Sequence, residues 1–153
     1  MNAESARNNV VVRYANGRIA KGHTWNFGPS KPSFHLFPAK GAATKALTVW
    51  VKDLKAVFFV RSFAGDPDYT ERKDLDPKLP ALAVRVRVEF LDGEVLVGYT
   101  TAYNPMQLGF FFVPMDPDGN NVRVFAAFSA ASSVTVGSKV VWSNSTRPMA
   151  SLP

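Results

Sequence analysis

Two histidines, His23 and His35, are the first residues in this sequence whose type could do chemistry. A two-histidine metal site needs a third ligand, most naturally a carboxylate. Asp53 is the only acid between Val10 and Ser62. At the corresponding places later in the chain stand Tyr99 and Phe111, which suit aromatic-sized packing sites rather than ligands. A structural role is therefore expected for both histidines. Cysteine is absent, which removes disulfides, thiolate nucleophiles and cysteine-based zinc sites. No serine lies in a nucleophile-elbow pattern, and no glycine-rich phosphate loop follows a strand. Asp66, Asp68, Glu71, Asp74 and Asp76 form an acidic cluster, but Thr70 and Arg72 interrupt the alternation that a calcium loop requires. No enzyme activity, metal or cofactor is expected.

What must be positioned, then, is a surface, and the chain builds it twice. Residues 12–38 align without a gap on residues 88–114, at an offset of 76. Val12, Gly17, Gly22, Thr24, Pro29, Phe34 and Pro38 match Val88, Gly93, Gly98, Thr100, Pro105, Phe110 and Pro114. With one inserted residue, Val51 and Val57 then correspond to Phe128 and Val134.

Each copy reads as five short strands. Val10–Tyr14 is β-branched and aromatic, and Asn16-Gly17 follows as a hairpin turn of type I′; Asp92-Gly93 serves likewise in the second copy. Gly22 and Gly98 lie inside the return strand, where a glycine marks a bulge, a bend or close backbone approach. Further strands are expected at Phe34–Phe37, Leu47–Val51 and Ala56–Val60, and again at Gly109–Val113, Val122–Phe128 and Ser133–Gly137. The reading is all-β: a tandem duplication of a five-stranded SH3-like or Sm-like barrel, packed as one body. Residues 10–62 form the first barrel, 63–83 a linker and 84–137 the second. Residues 138–153 are a partly disordered C-terminal extension anchored by Trp142. Phe58-Phe59 and Phe110-Phe111-Phe112 break strict alternation, so some of these rings face out of their own barrel and need an inter-copy contact.

Charge separates the copies. Between Val10 and Ser62, nine Lys and Arg face one acid, a balance of +8; between Val84 and Gly137, three face five, a balance of −2. The whole chain carries +6, with a hydrophobic fraction of 46%, ample for a core. No signal peptide or spanning segment is read in the sequence, so a cytoplasmic protein without membrane insertion is expected. The expected contact surface is the basic first copy, through Arg18, Lys21, Trp25, Lys31, His35, Lys40 and Lys45, with Phe27 among these cations. The first reading is a non-enzymatic adaptor for a protein partner with an acidic face. The alternative is single-stranded RNA or DNA, because aromatics interleaved with cations suit stacked bases. A homo-oligomer is also open.

The strings VVVRYANGRIAKGHTWNF, DLKAVFFVRSFAGDPDY and VEFLDGEVLVGYTTAYNP resemble those of an uncharacterised bacterial family, a domain of unknown function. The resemblance spans about Val10 to Val136 and implies no catalytic roles. In turn and strand order the chain is also similar to Sm-like RNA-binding proteins, without an RNA-pocket motif. The arginine-rich RxxxR entry and D/NxSxxG strand of PilZ-type cyclic-dinucleotide receptors are missing. A cyclic-dinucleotide-linked signalling protein lacking that motif is the second alternative.

Overall fold

Alternating β-branched and aromatic residues cut by Gly, Pro and Asn favour short strands, because each pleat buries one face and each cut turns the chain. A computed structural model describes residues 8–38, 45–63, 83–116 and 118–143. The first five strands are β1 (Asn8–Tyr14), β2 (Ile19–Thr24), β3 (Ser33–Pro38), β4 (Leu47–Trp50) and β5 (Leu54–Val60). The next five are β6 (Val84–Phe90), β7 (Val95–Thr100), β8 (Gly109–Pro114), β9 (Asn121–Ala127) and β10 (Ala131–Val136), and β11 (Lys139–Ser143) follows. One-turn 3-10 helices at Val51–Asp53 and Phe128–Ala130 join β4 to β5 and β9 to β10.

All pairings are antiparallel, and the strands form one eleven-stranded sheet that is not closed. Its order is β11-β10-β6-β7-β8-β9-β5-β1-β2-β3-β4. The order β5-β1-β2-β3-β4 in the first set therefore recurs as β10-β6-β7-β8-β9 in the second. Registers recur with it. Val10 pairs with Gly22 and Val86 with Gly98; Gly22 pairs with Pro38 and Gly98 with Pro114. Val12 faces Val57, as Val88 faces Val134. The two sets are welded where β5 pairs with β9, Val57 against Phe125 and Phe58 against Val124.

That joint explains the broken alternation. Every residue of β5 is buried. Val57 and Phe59 join Val10, Val12, Phe34, Leu36 and Val49 in one core cluster, to which β9 adds Phe125 and Ala127. Ala56, Phe58 and Val60 point the other way, into a cluster with Val86, Val88, Phe90, Phe110, Phe112, Val124 and Ala126. Each set thus completes its core with side chains of the other.

The hairpin tips differ from the expected turn. Gly17 and Gly93 have φ of 95° and 94°, but among the described residues none other than glycine has positive φ. A type I′ turn needs two such residues. Here the Tyr14 amide bonds the Arg18 carbonyl at 2.9 Å and the Gly17 amide bonds Tyr14 at 3.0 Å, closing a three-residue loop with glycine in the left-handed position. Asn16 and Asp92 act instead through their side chains: Oδ1 accepts from the Arg18 amide at 2.9 Å and from the Glu94 amide at 3.0 Å. This is Asx-turn chemistry.

Gly22 and Gly98 have ordinary φ, and their role is close approach. A β-carbon on Gly22 would stand 2.9 Å from the Phe37 carbonyl carbon and overlap its oxygen; on Gly98 it would meet Val113 in the same way and Phe112 Cδ2 at 2.6 Å. Backbone carbonyls cannot swing aside as a side-chain tip can. Gly22→Ala and Gly98→Ala should each cost roughly 2 kcal/mol, within the range for overpacking. Urea unfolding measures this, and unchanged midpoints would contradict the close approach.

Candidate functional site

The residues expected to form the contact surface divide into two groups. Arg18 lies at the first hairpin tip with its guanidinium carbon 5.2 Å from the Tyr14 ring centroid. Lys21 donates to the Phe63 carbonyl at 3.0 Å and lines a cleft of about 340 Å³ with Arg13, Ile19, Phe58 and Glu94. Trp25, Lys31 and His35 form the second group, and Asn26 holds the last two. The Asn26 side chain meets His35 Nδ1 at 2.9 Å and accepts from the His35 amide at 3.0 Å, while Lys31 donates to the Asn26 carbonyl at 3.3 Å. Trp25 stacks on Phe37, ring centroids 4.5 Å apart and planes 7° from parallel, and is still 53% exposed. Lys45 is exposed two residues before β4, and Lys40 lies outside the described residues. His23 meets Asn9 Oδ1 through Nδ1 at 2.9 Å and lies edge-on to Phe63. Among the described residues no group of three His, Cys, Asp or Glu could hold a metal.

Two of the sequence expectations need correction. Phe27 is not among the surface cations: its ring packs edge-to-face on Phe34, Phe59, Phe111 and Phe125, at centroid distances of 5.0, 5.7, 5.6 and 4.9 Å. Its phase with Tyr103, itself packed on Phe110 and Phe128, could have signalled a core role. Lys55, one of the nine cations counted for the first copy, is also withdrawn from the surface. It is buried, its Nζ 5.0 Å from the Phe90 ring centroid, and bonds Asp92 at 2.7 Å and Glu94 more closely still. The cation of one set is thus neutralised by the acids of the other.

Burial works against the Lys55 ammonium, but the hydrogen bonds and charges of Asp92 and Glu94 together outweigh it and raise its pKa. The Lys55 hydrogen bond, helped by the Glu94 amide, holds Asp92 below its ordinary value. The signs follow by linkage. A depressed acid stabilises the fold above its ordinary pKa of 3.8, and that contribution is lost as pH falls through the lower folded value. A raised lysine stabilises below 10.5, and its contribution is lost as pH rises through the higher folded value. The stability difference between the wild type and Lys55→Met should be flat between these limits and change outside both. Denaturant titrations across pH test it, and a difference that stays constant down to strong acid would speak against the bridge.

The surface that remains basic surrounds β4. Lys31, Lys45 and Lys52 make no ion pair among the described residues, and Leu47 and Trp50 on this terminal strand are each 46% exposed. At its Trp50 end a groove of about 510 Å³ opens, lined by Pro32, Val51, Lys52, Leu108, Phe128 and Trp142 among others. The 76- and 77-residue offsets relate Pro32 to Leu108, Val51 to Phe128 and Lys52 to Ser129, so both sets build the groove from matching positions. Charge counting had not singled it out. Trp142 stacks on Phe128 at 5.6 Å from β11, inside the segment expected to be an extension.

No helix among the described residues is long and apolar enough to cross a membrane. No curated protein matches the chain, and no solved structure does. The model of DUF6982, a family of unknown function, matches residues 6–137. That span takes in all of β1 to β10, and the chain belongs to this family.

Proposed function

We propose that this protein is a non-enzymatic binding module: an internally duplicated unit of the SH3-like or Sm-like small-barrel kind, whose basic first copy holds a protein partner with an acidic face. The recurrence of strand order and register, at an offset of 76 and then 77 residues, supports the duplication. The observation that carries the binding reading is the exposure of Trp25, Leu47 and Trp50 beside Lys31, Lys45 and Lys52, which make no ion pair among the described residues. Protein interfaces bury an apolar, aromatic centre inside a polar rim, and this surface supplies both. The second reading is single-stranded nucleic acid, favoured by the Trp25–Phe37 stack next to His35.

The test uses the whole chain as bait in native lysate, with and without nuclease, beside a Lys31→Glu/Lys45→Glu/Lys52→Glu variant. A protein recovered after nuclease, lost with the variant and rebound when purified, supports the adaptor. Nuclease-sensitive recovery, with affinity for mixed RNA falling steeply as salt rises, replaces it by the nucleic-acid reading. Interactions unaffected by the triple reversal remove the basic surface from both.

A further inference from the structure

The joint between the two sets states what a fourth strand of this fold can do. β9, the fourth strand of the second set, receives β5 along its edge: Ala56 faces Ala126, Val57 faces Phe125, Phe58 faces Val124 and Phe59 faces Arg123. Val124 and Ala126 fill the core of their own set, while Phe125 and Ala127 are buried in the core of the other. Phe111 on the adjacent β8 packs against that same foreign core.

β4 is the matching strand of the first set. Phe34 pairs with Val49 as Phe110 pairs with Ala126, and Leu36 with Leu47 as Phe112 with Val124. Leu47–Trp50 thus stands where the second set has Val124–Ala127. Thr48 takes the place of Phe125, Trp50 that of Ala127 and His35 that of Phe111. Those second-set residues lie under the joint, whereas Thr48, Trp50 and His35 are exposed. β4 also ends the sheet, so among the described residues no strand pairs with the outer row of its backbone N–H and C=O groups. Among those residues it is a fourth strand without the fifth strand that β9 has.

We propose that β4 takes an extended segment of a protein partner as an added antiparallel strand, with apolar side chains at alternate positions and acidic residues at its ends. This rests on the protein-binding reading above and specifies its mode. Strand addition draws affinity from the main chain and specificity from pockets for alternate side chains. The groove at the Trp50 end, with Pro32, Leu108 and Trp142, is such a pocket for one large apolar group. The acidic ends follow from charge: Lys45 precedes the strand, Lys52 follows it, and Asp53 is the only acid between residues 8 and 63.

A second copy of the chain is the poorer occupant. Among the described residues the other fifth strand is β10, and β11 already covers its edge. Two β4 strands side by side and antiparallel would bring Lys45 of one chain towards Lys52 of the other, and like charges facing across a strand pair are unfavourable.

The experiment pans a displayed random nonapeptide library on the whole wild-type chain and maps the selected peptides by amide hydrogen exchange. The expected peptides alternate apolar residues between acidic ends and slow exchange at residues 47–50. They lose about tenfold or more in affinity with Trp50→Ala, as for an interface anchor, and again with Lys45→Glu/Lys52→Glu. Exchange elsewhere in each variant verifies that it is folded. Selection of no binder, or of binders that leave residues 47–50 unprotected, overturns strand addition. The lysate capture described above reads separately: a charge-dependent protein partner that does not protect β4 leaves the adaptor standing and removes only this mode. A concentration-dependent dimer that protects β4 without any peptide also overturns it, in favour of self-association.

Discussion

Phe125→Ala should destabilise the protein by about 3–5 kcal/mol, the cost of removing a fully buried aromatic ring and leaving its cavity. The residue belongs to β9 in the second set, yet its ring sits in the core of the first, 4.9 Å from Phe27 and 5.5 Å from Phe111 by centroid. Domains of this size are stable by only about 5–15 kcal/mol, so the loss is a large share of the total. The way it is lost is as informative as its size. Since β5 and β9 each supply both clusters, neither set has a complete core alone. Tryptophan fluorescence and far-ultraviolet circular dichroism should give coincident urea transitions in the wild type and the variant, both moved together. Two separated transitions, one shifted and one unmoved, would contradict the shared core.

Lys55→Glu should be the most damaging single charge change, at about 3 kcal/mol. Removing one partner of a buried pair costs about 3–5 kcal/mol when the charge left behind stays buried. Asp92 and Glu94 are 53% and 40% exposed and screened by water, so removal alone costs less here, and only the added repulsion of the reversal brings the loss to the lower end. The substitution places a third carboxylate beside those two, against Phe90, with only Arg13 and solvent to relieve the repulsion. Lys55→Met is the control. It keeps the stem and its contact with Phe90 and leaves the two acids partly solvated, so its cost should be well under half as large. Equal losses for the two variants, by urea unfolding at neutral pH, would show that packing alone matters at this position.

Much of the scaffold was legible because small residues and prolines act locally. Gly22, Gly98, Pro38 and Pro114 sit in phase in the sequence and pair in phase in the sheet. The two consecutive phenylalanines of β5 announced a strand buried on both faces, and it is. The weld itself was not legible, since alternation tells which way side chains point but not which edges meet. The tip turns were misread because Asn-Gly suits both a two-residue and a three-residue loop, and the closing Tyr14–Arg18 hydrogen bond decides between them. β11 escaped because five residues, Lys139–Ser143, three of them exposed, carry little strand signal without a partner. At the candidate site, counting charge picked out Lys31 and Lys45, which are exposed, but could not see Lys55 turn inward or Trp50 stand on a terminal strand. Those facts depend on contacts between residues far apart in the chain.

β11 itself has a consequence for how such chains could associate. Its pairing on β10 imitates that of β9 on β5: Val134 meets Trp142 where Val57 meets Phe125. Ser133 and Thr135 also replace Ala56 and Phe58 on the outer side of β10. A chain without these features would have complementary ends, a bare fourth strand and a bare apolar fifth. Contacts of that head-to-tail kind grow into rings if the rotation closes and into fibres if it does not. In this molecule β11 lies along β10, and Ser133 and Thr135 face that strand with hydroxyls, so β10 cannot offer a second chain the joint that β5 makes with β9.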